Sequence, residues 1–417
     1  METNKLEEFN HWWIKRKVDT DLALPFKREI YQEIEKQMDK RFIIALVGLR
    51  RIGKTTTVYQ LIEELIDSKI DPTDILFFSF DENRATIGEI LDTYREMQKK
   101  DFREKKVYVF LDEIQKCTNW ENEIKKYYDL YPKLKFIISG SESLFIKRKT
   151  KETLAGRIVE FILMPFTFKE YLQFKNIKEE EWKYETKMNP IFLTFAERGG
   201  FPETFSLESE KDFKEYIRTL VVDKIVYKDI PRLFRLEDPE FLRVLLELIA
   251  TNPGMYLDYQ SLSKQFGKDR RVIKDYISYL KESFLILILG NYRKGSMATL
   301  RKIKRAYPAD TSFIFMYKTK MEEGFYGRVV ETLVVNKMRA GAFWKNGHEI
   351  DIIADDMPIE IKYQEKIRSE DYKPVLEFMR KFKKKEGIII SKHEEGEIKF
   401  AEGTITLIPA WKWMLRN

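Results

Sequence analysis

The sequence predicts an α/β protein whose N-terminal part is built on a parallel β-sheet, and three features support this fold class. First, the apolar run at residues 42–47 is typical of a strand buried on both faces. Second, a glycine-rich segment and then a helical pattern follow that run directly. Third, further apolar runs of strand length lie at residues 74–80, 107–111, 135–140 and 158–163. Together these features favour five parallel strands with helices packed on the sheet.

The composition is that of a globular chain with more than one domain. The chain has 417 residues, of which 43% are hydrophobic and 34% are charged, and its formal net charge is +7. This length predicts two to four domains, and the basic balance permits an acidic partner such as nucleic acid. Cys117 is the only cysteine, which excludes an internal disulfide and predicts a cytoplasmic setting. No apolar window is long enough for a membrane span, and the polar start predicts no signal peptide.

Residues 48–55 match the phosphate-binding loop pattern G-x-x-x-x-G-K-[ST] in full. The glycines allow a tight turn that directs backbone N–H groups at phosphate oxygens, and the following helix adds partial positive charge. Lys54 would reach the β- and γ-phosphates, and the Thr55 hydroxyl would hold Mg²⁺. We therefore expect a nucleoside triphosphate site made of Gly48, Leu49, Arg50, Arg51, Ile52, Gly53, Lys54, Thr55 and Thr56.

The third apolar run ends in Asp112 and Glu113, the arrangement called a Walker B motif. Asp112 would contribute to the Mg²⁺ site, and Glu113 would polarise the water that attacks the γ-phosphate. An ordinary strand end is the alternative, because apolar strands often end in acidic residues. At the end of the fourth run, Ser139 and Ser141 could sense the γ-phosphate or position water, and simple turn chemistry is the alternative there.

These motifs, in their order along the chain, resemble those of a family of archaeal and bacterial AAA-type P-loop ATPases. The segments that carry the resemblance are GLRRIGKTT, FLDEIQ, ISGSESL, LAGR, MPFTFKEYL and GGFPE. Members of the family typically contain a winged-helix region and a C-terminal nuclease-like domain. The resemblance implies a sheet with strand order 5-1-4-3-2 and implies ATP as the nucleotide. The guanine-reading pattern N-K-x-D is absent from the predicted strand ends.

The resemblance also implies a role for Arg157, which immediately precedes the fifth predicted strand. At this place, AAA ATPases often carry the arginine that reaches the nucleotide of a neighbouring subunit and stabilises charge on the γ-phosphate. Such a role would require a homo-oligomer, and a surface ion pair is the alternative. The sequence does not identify the second sensor arginine that such ATPases carry in a lid, and Arg198 is only a candidate for it.

The resemblance divides the whole chain into three predicted domains. These are the P-loop ATPase domain with its lid at residues 1–205, a helical and winged-helix domain at 206–295, and a nuclease-like domain at 296–417.

Residues 259–266 and 269–282 are predicted to form two helices joined by a tight turn at Gly267. A helix-turn-helix of this kind places its second helix against DNA. The side chains available for DNA contact would be Lys268, Arg270, Arg271 and Lys274. The alternative is a protein-packing or lid module whose basic face is only solvated.

Near the C-terminus, a predicted hairpin carries Asp351, then eight residues, then Glu360 and Lys362. Glu360 and Lys362 share one face of their strand because side chains alternate, and Asp351 can face them from the paired strand. Two carboxylates in this arrangement would bind Mg²⁺ or Mn²⁺, and Lys362 could orient or activate a water for attack on a phosphodiester.

This hairpin looks like the core of the PD-(D/E)XK nucleases, to which a helical glutamate, here Glu331, also contributes. The helix before the hairpin and the helix and strand after it follow the order of elements in that core. A merely structural hairpin is the alternative.

The sequence as a whole therefore predicts a Mg²⁺-dependent ATPase of the AAA class that binds DNA and carries a C-terminal domain able to cleave it. The alternative from another class is a signalling or scaffold ATPase, in which nucleotide state governs protein partners and the C-terminal domain only binds them. A DNA-binding ATPase without cleavage is a third interpretation.

Overall fold

The computed structural model describes residues 3–81, 84–140, 153–234, 236–293, 303–318, 323–339 and 341–416. It divides into two compact units, Met1–Met164 and Pro165–Asn417. The predicted boundaries at residues 205 and 295 do not coincide with this division. Strands on both sides of residue 295 belong to one hydrogen-bonded sheet in the second unit.

The first unit contains the predicted parallel sheet. Its strands are β1 (Ile43–Gly48), β2 (Ile75–Ser79), β3 (Val107–Asp112), β4 (Leu134–Gly140) and β5 (Ile158–Leu163). All neighbouring strands pair in parallel in the order β2-β3-β4-β1-β5, which is the predicted order read from the other edge. Every residue of β1, β3 and β4 is buried, which explains why these strands are mostly apolar rather than alternating, with Asp112, Lys135 and Ser139 as buried polar exceptions.

Six helices are described in this unit, and the three longer ones alternate along the chain with the strands of the sheet. They are α1 (Thr3–Phe9), α2 (Trp12–Lys15), α3 (Tyr31–Glu35), α4 (Lys54–Asp67), α5 (Ile87–Gln98) and α6 (Trp120–Leu130), with short 3₁₀ turns at Pro72–Asp74 and Ile114–Lys116. Local sequence fixes some of their ends. At the start of α5, Thr86 and Glu89 each accept a backbone N–H from the other's residue and form a capping box.

The outer edge of β2 is covered by side chains from the N-terminal segment. The Asn10 amide accepts the Phe77 N–H at 2.7 Å and donates to the Phe77 carbonyl at 2.9 Å, as a neighbouring strand would. The indole N–H groups of Trp12 and Trp13 donate to the Ile75 carbonyl at 3.3 and 2.8 Å. These contacts satisfy backbone groups that an edge strand otherwise leaves unpaired.

The second unit is organised around a nine-stranded mixed sheet. Its strands are β6 (Met255–Tyr256), β7 (Ile286–Asn291), β8 (Lys304–Pro308), β9 (Ala342–Asn346), β10 (His348–Ala354), β11 (Met357–Lys362), β12 (Glu386–Ser391), β13 (Gly396–Lys399) and β14 (Thr404–Pro409). The order is β13-β14-β12-β11-β10-β9-β7-β8-β6. The pairs β7–β9, β11–β12 and β12–β14 are parallel, and the other neighbours are antiparallel.

The helices described in this unit are α7 (Phe168–Phe174), α8 (Glu185–Arg198), α9 (Glu210–Glu215), α10 (Ile230–Leu233), α11 (Pro239–Thr251), α12 (Tyr259–Phe266), α13 (Arg270–Glu282), α14 (Ser312–Tyr317), α15 (Tyr326–Met338), α16 (Lys373–Phe382) and α17 (Ala410–Met414). Two π-helical stretches, Tyr216–Val222 and Ile225–Asp229, lie between α9 and α10. Short 3₁₀ turns occur at Glu179–Glu181, Pro202–Ser206, Glu323–Phe325 and Ser369–Tyr372. The predicted helix pair α12–α13 and the hairpin β10–β11 are both confirmed.

The structure explains the two glycines of the GGFPE segment, Gly199 and Gly200. The Gly200 N–H donates to the buried carboxylate of Asp310 at 2.9 Å, and Ser312 N–H donates to the same carboxylate at 2.9 Å. Gly199 has a φ of +71°, and a Cβ there would collide with Asp310. Burial raises the pKa of Asp310 to about 6, against the effect of these donated hydrogen bonds. The glycine pair thus allows the backbone to approach a buried acid.

No helix within the described ranges is both long and apolar enough to cross a membrane.

Replacing Asn10 by alanine should lower the free energy of unfolding by about 1–3 kcal/mol, because two buried peptide groups of Phe77 lose their partners. Glu8→Ala is the matched control, since Glu8 is exposed on α1. Urea unfolding followed by tryptophan fluorescence measures both variants. Equal midpoints for the two would contradict a stabilising role for the Asn10 contacts.

Candidate functional site

The phosphate loop connects β1 to α4, and both of its motif glycines occupy positions that require glycine. Gly48 has a φ of +152°, and a Cβ there would collide with the Leu163 carbonyl of β5. Gly53 has a φ of +93° and immediately precedes α4. Leu49 and Ile52 are buried. The loop therefore turns tightly from a buried strand into the first turn of a helix, as the motif predicts.

The Lys54 side chain is buried inside this loop. Its ammonium donates to the Leu49 carbonyl at 2.7 Å and to the Gly48 carbonyl at 3.2 Å. The ammonium is therefore held by carbonyls of the loop itself. Arg51 is exposed at a φ of +62°, and Arg50 and Thr56 are half-buried.

Asp112 connects three elements at the carboxyl ends of the strands. Its Oδ2 accepts the Thr55 hydroxyl from α4 at 2.8 Å, and its Oδ1 accepts the Ser139 hydroxyl from β4. The residue is 4% exposed. Burial raises the pKa of the neighbouring Tyr59 phenol to about 12, and the charge of Asp112 adds to this shift. The structure thus brings together Thr55, Asp112 and Ser139, as the sequence predicts.

Glu113 lies just beyond Asp112 in a left-handed backbone conformation with a φ of +51°. Its carboxylate accepts the side-chain amide of Gln115. Gln115 is buried and belongs to the FLDEIQ segment, but no role for it follows from the sequence alone. The backbone conformation turns the Glu113 carboxylate onto a local partner, which fixes the orientation of a half-buried acid.

The oxygens at this site suit Mg²⁺ bound together with a triphosphate. Within the described part of the chain, no group of three or more His, Cys, Asp or Glu side chains could hold a metal ion by itself. Mg²⁺ usually takes one or two protein oxygens and fills its other positions with water and phosphate oxygens. The contact between Thr55 and Asp112 provides two such oxygens beside the phosphate loop.

Arg28 holds the phosphate loop from outside the motif. Its guanidinium donates to the Ile52 carbonyl at 3.0 Å and to the Met164 carbonyl at 2.7 Å. It therefore ties the loop to the chain just after β5. Sequence reasoning missed Arg28, because neither the motif nor the helical pattern around it marks a contact across 136 residues.

Arg157 lies at the amino end of β5, opposite the edge where the phosphate loop lies. Its carbonyl accepts the N–H of Ile43, the first residue of β1. Its guanidinium donates to Asp129 at 3.1 Å, which is the surface ion pair that the sequence leaves open. Arg157 therefore does not contact the nucleotide site of its own chain. Ser141 lies outside the described residues.

The basic side chains of the helix pair separate into two kinds. Lys268 forms an ion pair with Asp238 at 2.8 Å and lies over the Phe241 ring at 5.4 Å, so it supports the packing of α11. Arg270, Arg271 and Lys274 are exposed on the first turns of α13. The Asp269 side chain caps this helix by accepting the Arg271 N–H at 2.7 Å.

The four residues predicted for the nuclease-like site lie together, and they belong to a larger buried network. We call Glu331, Glu349, Asp351 and Glu360 the acidic cluster. The Asp351 Oδ2 atom accepts the Ile361 N–H at 2.9 Å, and Glu360 accepts the Asp351 N–H at 3.3 Å. The Lys362 ammonium pairs with Glu360 at 2.8 Å. Burial raises the pKa of Glu331, Asp351 and Glu360.

An arginine that the sequence did not single out contacts this cluster. The Arg305 guanidinium lies 2.7 Å from Glu331, and the Tyr307 hydroxyl donates to the same oxygen at 2.6 Å. A divalent ion needs carboxylate oxygens that converge on an open position. Here Arg305 contacts Glu331 and Asp351, and Lys362 contacts Glu360, so the cluster as built does not fit Mg²⁺ or Mn²⁺. The predicted metal roles of Glu331, Asp351 and Glu360 are not supported by this geometry.

Two family models match the chain. Residues 40–172 match a family described as an AAA domain, and residues 190–322 match a family described as a domain of unknown function. The first match and the strand order β2-β3-β4-β1-β5 show an AAA-type P-loop ATPase fold in this part of the chain.

Two uncharacterized proteins of Methanocaldococcus jannaschii are similar along most of the chain. MJ1544 is 26% identical over an alignment of 416 positions, which covers 93% of this chain and 91% of that protein. MJ1637 is 28% identical over an alignment of 449 positions, which covers 96% of this chain and 89% of that protein. Among solved structures, the Thermotoga maritima RuvB Holliday junction branch migration motor is 16% identical. The alignment covers 64% of this chain and 87% of that chain, with a TM-score of 0.30.

Gly254→Ala should destabilise the protein more than Gly267→Ala, by about 1–2 kcal/mol. Both glycines have positive φ, +78° and +62°. A Cβ at Gly254 would lie 2.6 Å from the Arg305 guanidinium, whereas a Cβ at Gly267 meets nothing within 4 Å. The difference between the two unfolding free energies in urea therefore measures how firmly Arg305 is held. Equal losses would mean that Arg305 moves aside freely.

Proposed function

We propose that this protein is a Mg²⁺-dependent ATPase that binds DNA. The observation that carries the ATPase proposal is the carboxylate of Asp112, which accepts the Thr55 and Ser139 hydroxyls beside a complete phosphate loop. ATP rather than GTP follows from the family resemblance of the motifs. Mg²⁺ would neutralise part of the triphosphate charge.

Each side chain of the site has a distinct task in this proposal. Lys54 binds the β- and γ-phosphates, and the backbone N–H groups of the loop bind phosphate oxygens. Thr55 and Asp112 hold the metal, and Ser139 keeps the Asp112 carboxylate in place. Glu113 orients the attacking water and accepts its proton.

We propose separately that Arg157, which pairs with Asp129 in its own chain, acts on the nucleotide of a second subunit. Arg157 lies at the sheet edge opposite the phosphate loop, so it could reach a nucleotide only in another copy of the chain. This role would require a homo-oligomer.

DNA binding is supported by the exposed cations at the start of α13. The order α11, β6, α12, α13, β7, β8 and the antiparallel group β7-β8-β6 are those expected of a winged-helix domain. In such a domain, the second helix of the pair contacts DNA. Arg270, Arg271 and Lys274 are exposed and can serve, while Lys268 is engaged with Asp238.

A nuclease-like fold is supported for the C-terminal region by the position of Glu331, Asp351, Glu360 and Lys362 in one network. We do not include cleavage in the proposed activity, because the Arg305 contacts argue against a divalent metal in that network. The alternative function, a nucleotide-switched scaffold for protein partners, uses the same ATPase site and differs by having no affinity for DNA.

Lys54→Ala should reduce kcat for ATP hydrolysis by about 100-fold or more and should also weaken ATP binding, since the loop loses its phosphate-binding cation. Glu113→Gln should reduce hydrolysis to a similar degree while ATP binding persists, because only the proton acceptor is lost. Steady-state phosphate release and equilibrium ATP binding measure the two effects. Lys5→Ala and Glu7→Gln, both exposed on α1, are the controls. Normal hydrolysis by Glu113→Gln would remove this residue from the mechanism.

The double variant Arg271→Ala/Lys274→Ala should weaken DNA binding at every sequence tested. The slope of log Kd against log salt concentration should also become less steep, by roughly one unit for each phosphate that the variant no longer binds. Lys399→Ala removes one exposed cation from β13 and should leave the binding unchanged. Fluorescence anisotropy across a salt series gives both quantities. Salt-insensitive binding, or none by the wild type, would favour the scaffold alternative.

A further inference from the structure

Arg305 enters the acidic cluster from β8, a strand outside the hairpin β10–β11. Its guanidinium lies 2.7 Å from Glu331, 3.2 Å from Glu349 and 3.5 Å from Asp351. The residue is 7% exposed. One internal cation therefore contacts carboxylates of the helix α15 and of the strand β10 at the same time.

Groups other than acids also hold this guanidinium. Its Nε donates to the Gly254 carbonyl at 2.8 Å, and its carbon lies 5.3 Å from the Tyr307 ring centroid and 5.7 Å from that of Phe343. A side chain at position 254 would overlap the guanidinium, so the glycine makes room for it. The Arg305 side chain is thus a buried part of the fold and is held by groups other than the acids.

Carboxylate oxygens of the cluster that Arg305 does not contact have donors as well. Asp351 accepts the Ile361 N–H, and Glu360 is bonded by the Lys362 ammonium and by the Asp351 N–H. A divalent cation would have to displace a buried guanidinium and compete with these donors. Burial makes the loss of a charged partner especially unfavourable, because water does not replace it.

We propose that Arg305 takes the place of a divalent cation in the acidic cluster. The folded wild-type protein then binds neither Mg²⁺ nor Mn²⁺ between Glu331 and Asp351, and a neutral side chain at position 305 converts the cluster into a divalent-cation site. The C-terminal region accordingly contributes no metal-dependent cleavage of DNA. This inference is independent of the ATPase proposal, since it concerns a different set of residues.

Mn²⁺ titration of the full-length, nucleotide-free protein tests the proposal, with free Mn²⁺ followed by electron paramagnetic resonance. Wild type and Asp351→Asn should give the same binding curve, because Asp351 holds no metal in either. Arg305→Met should bind one more Mn²⁺ ion per chain than wild type, and adding Asp351→Asn to it should abolish the gain. Arg305→Lys keeps the charge and should behave as wild type.

Two features of the experiment allow it to contradict the proposal even if Arg305→Met does not fold. The comparison of wild type with Asp351→Asn needs no change at Arg305, and a Mn²⁺ site that depends on Asp351 in that comparison overturns the proposal. Arg305→Gln replaces Arg305→Met if the latter fails to fold, because its amide can still donate a hydrogen bond. If a folded neutral variant gains no Mn²⁺, the conversion is wrong. Asp351-dependent cutting of linear or branched DNA by wild type with Mn²⁺ would overturn the proposal as well.

Discussion

The nucleotide site depends on one constraint, the burial of an Asp112 carboxylate where three elements meet. Parallel strands end at the same edge of a sheet, so the last residues of β3 and β4 become neighbours although the chain separates them. The carboxylate then links the helix after the phosphate loop to both strands through the Thr55 and Ser139 hydroxyls. Because β1, β3 and β4 are wholly buried, shifts of this edge would cost packing.

The two acidic sites of the molecule differ in what surrounds the carboxylates. At the phosphate loop, the side-chain donors to Asp112 are the neutral hydroxyls of Thr55 and Ser139. In the acidic cluster, Asp351 and Glu331 already contact the positive charge of Arg305. This difference in the charge of the neighbouring donors is the basis on which we propose a metal at the first site and none at the second.

Much of the first unit could be predicted from the sequence, because its signals are local. The phosphate loop is specified by residues that are adjacent in the chain, and strands that are apolar along most of their length indicate a covered parallel sheet. The contacts of Arg28, Arg305 and Asn10 could not be predicted, since each joins residues far apart in sequence and each side chain looks like an ordinary polar residue. Lys268 shows the opposite case, because its basic neighbourhood suggests DNA, whereas its ammonium pairs with Asp238, the residue that caps α11. The predicted boundary at residue 295 separates β7 from β9, which pair directly.

The side chains that cover β2 have a consequence for how copies of this chain could associate. Sheets often extend across molecules by adding a strand of a second chain at an open margin. Along β2, the peptide groups of Ile75 and Phe77 that such a strand would need are already taken by two indoles and a carboxamide. Continuous intermolecular sheet formation is therefore blocked on that side of the first unit, which also protects the apolar strand from templating fibres.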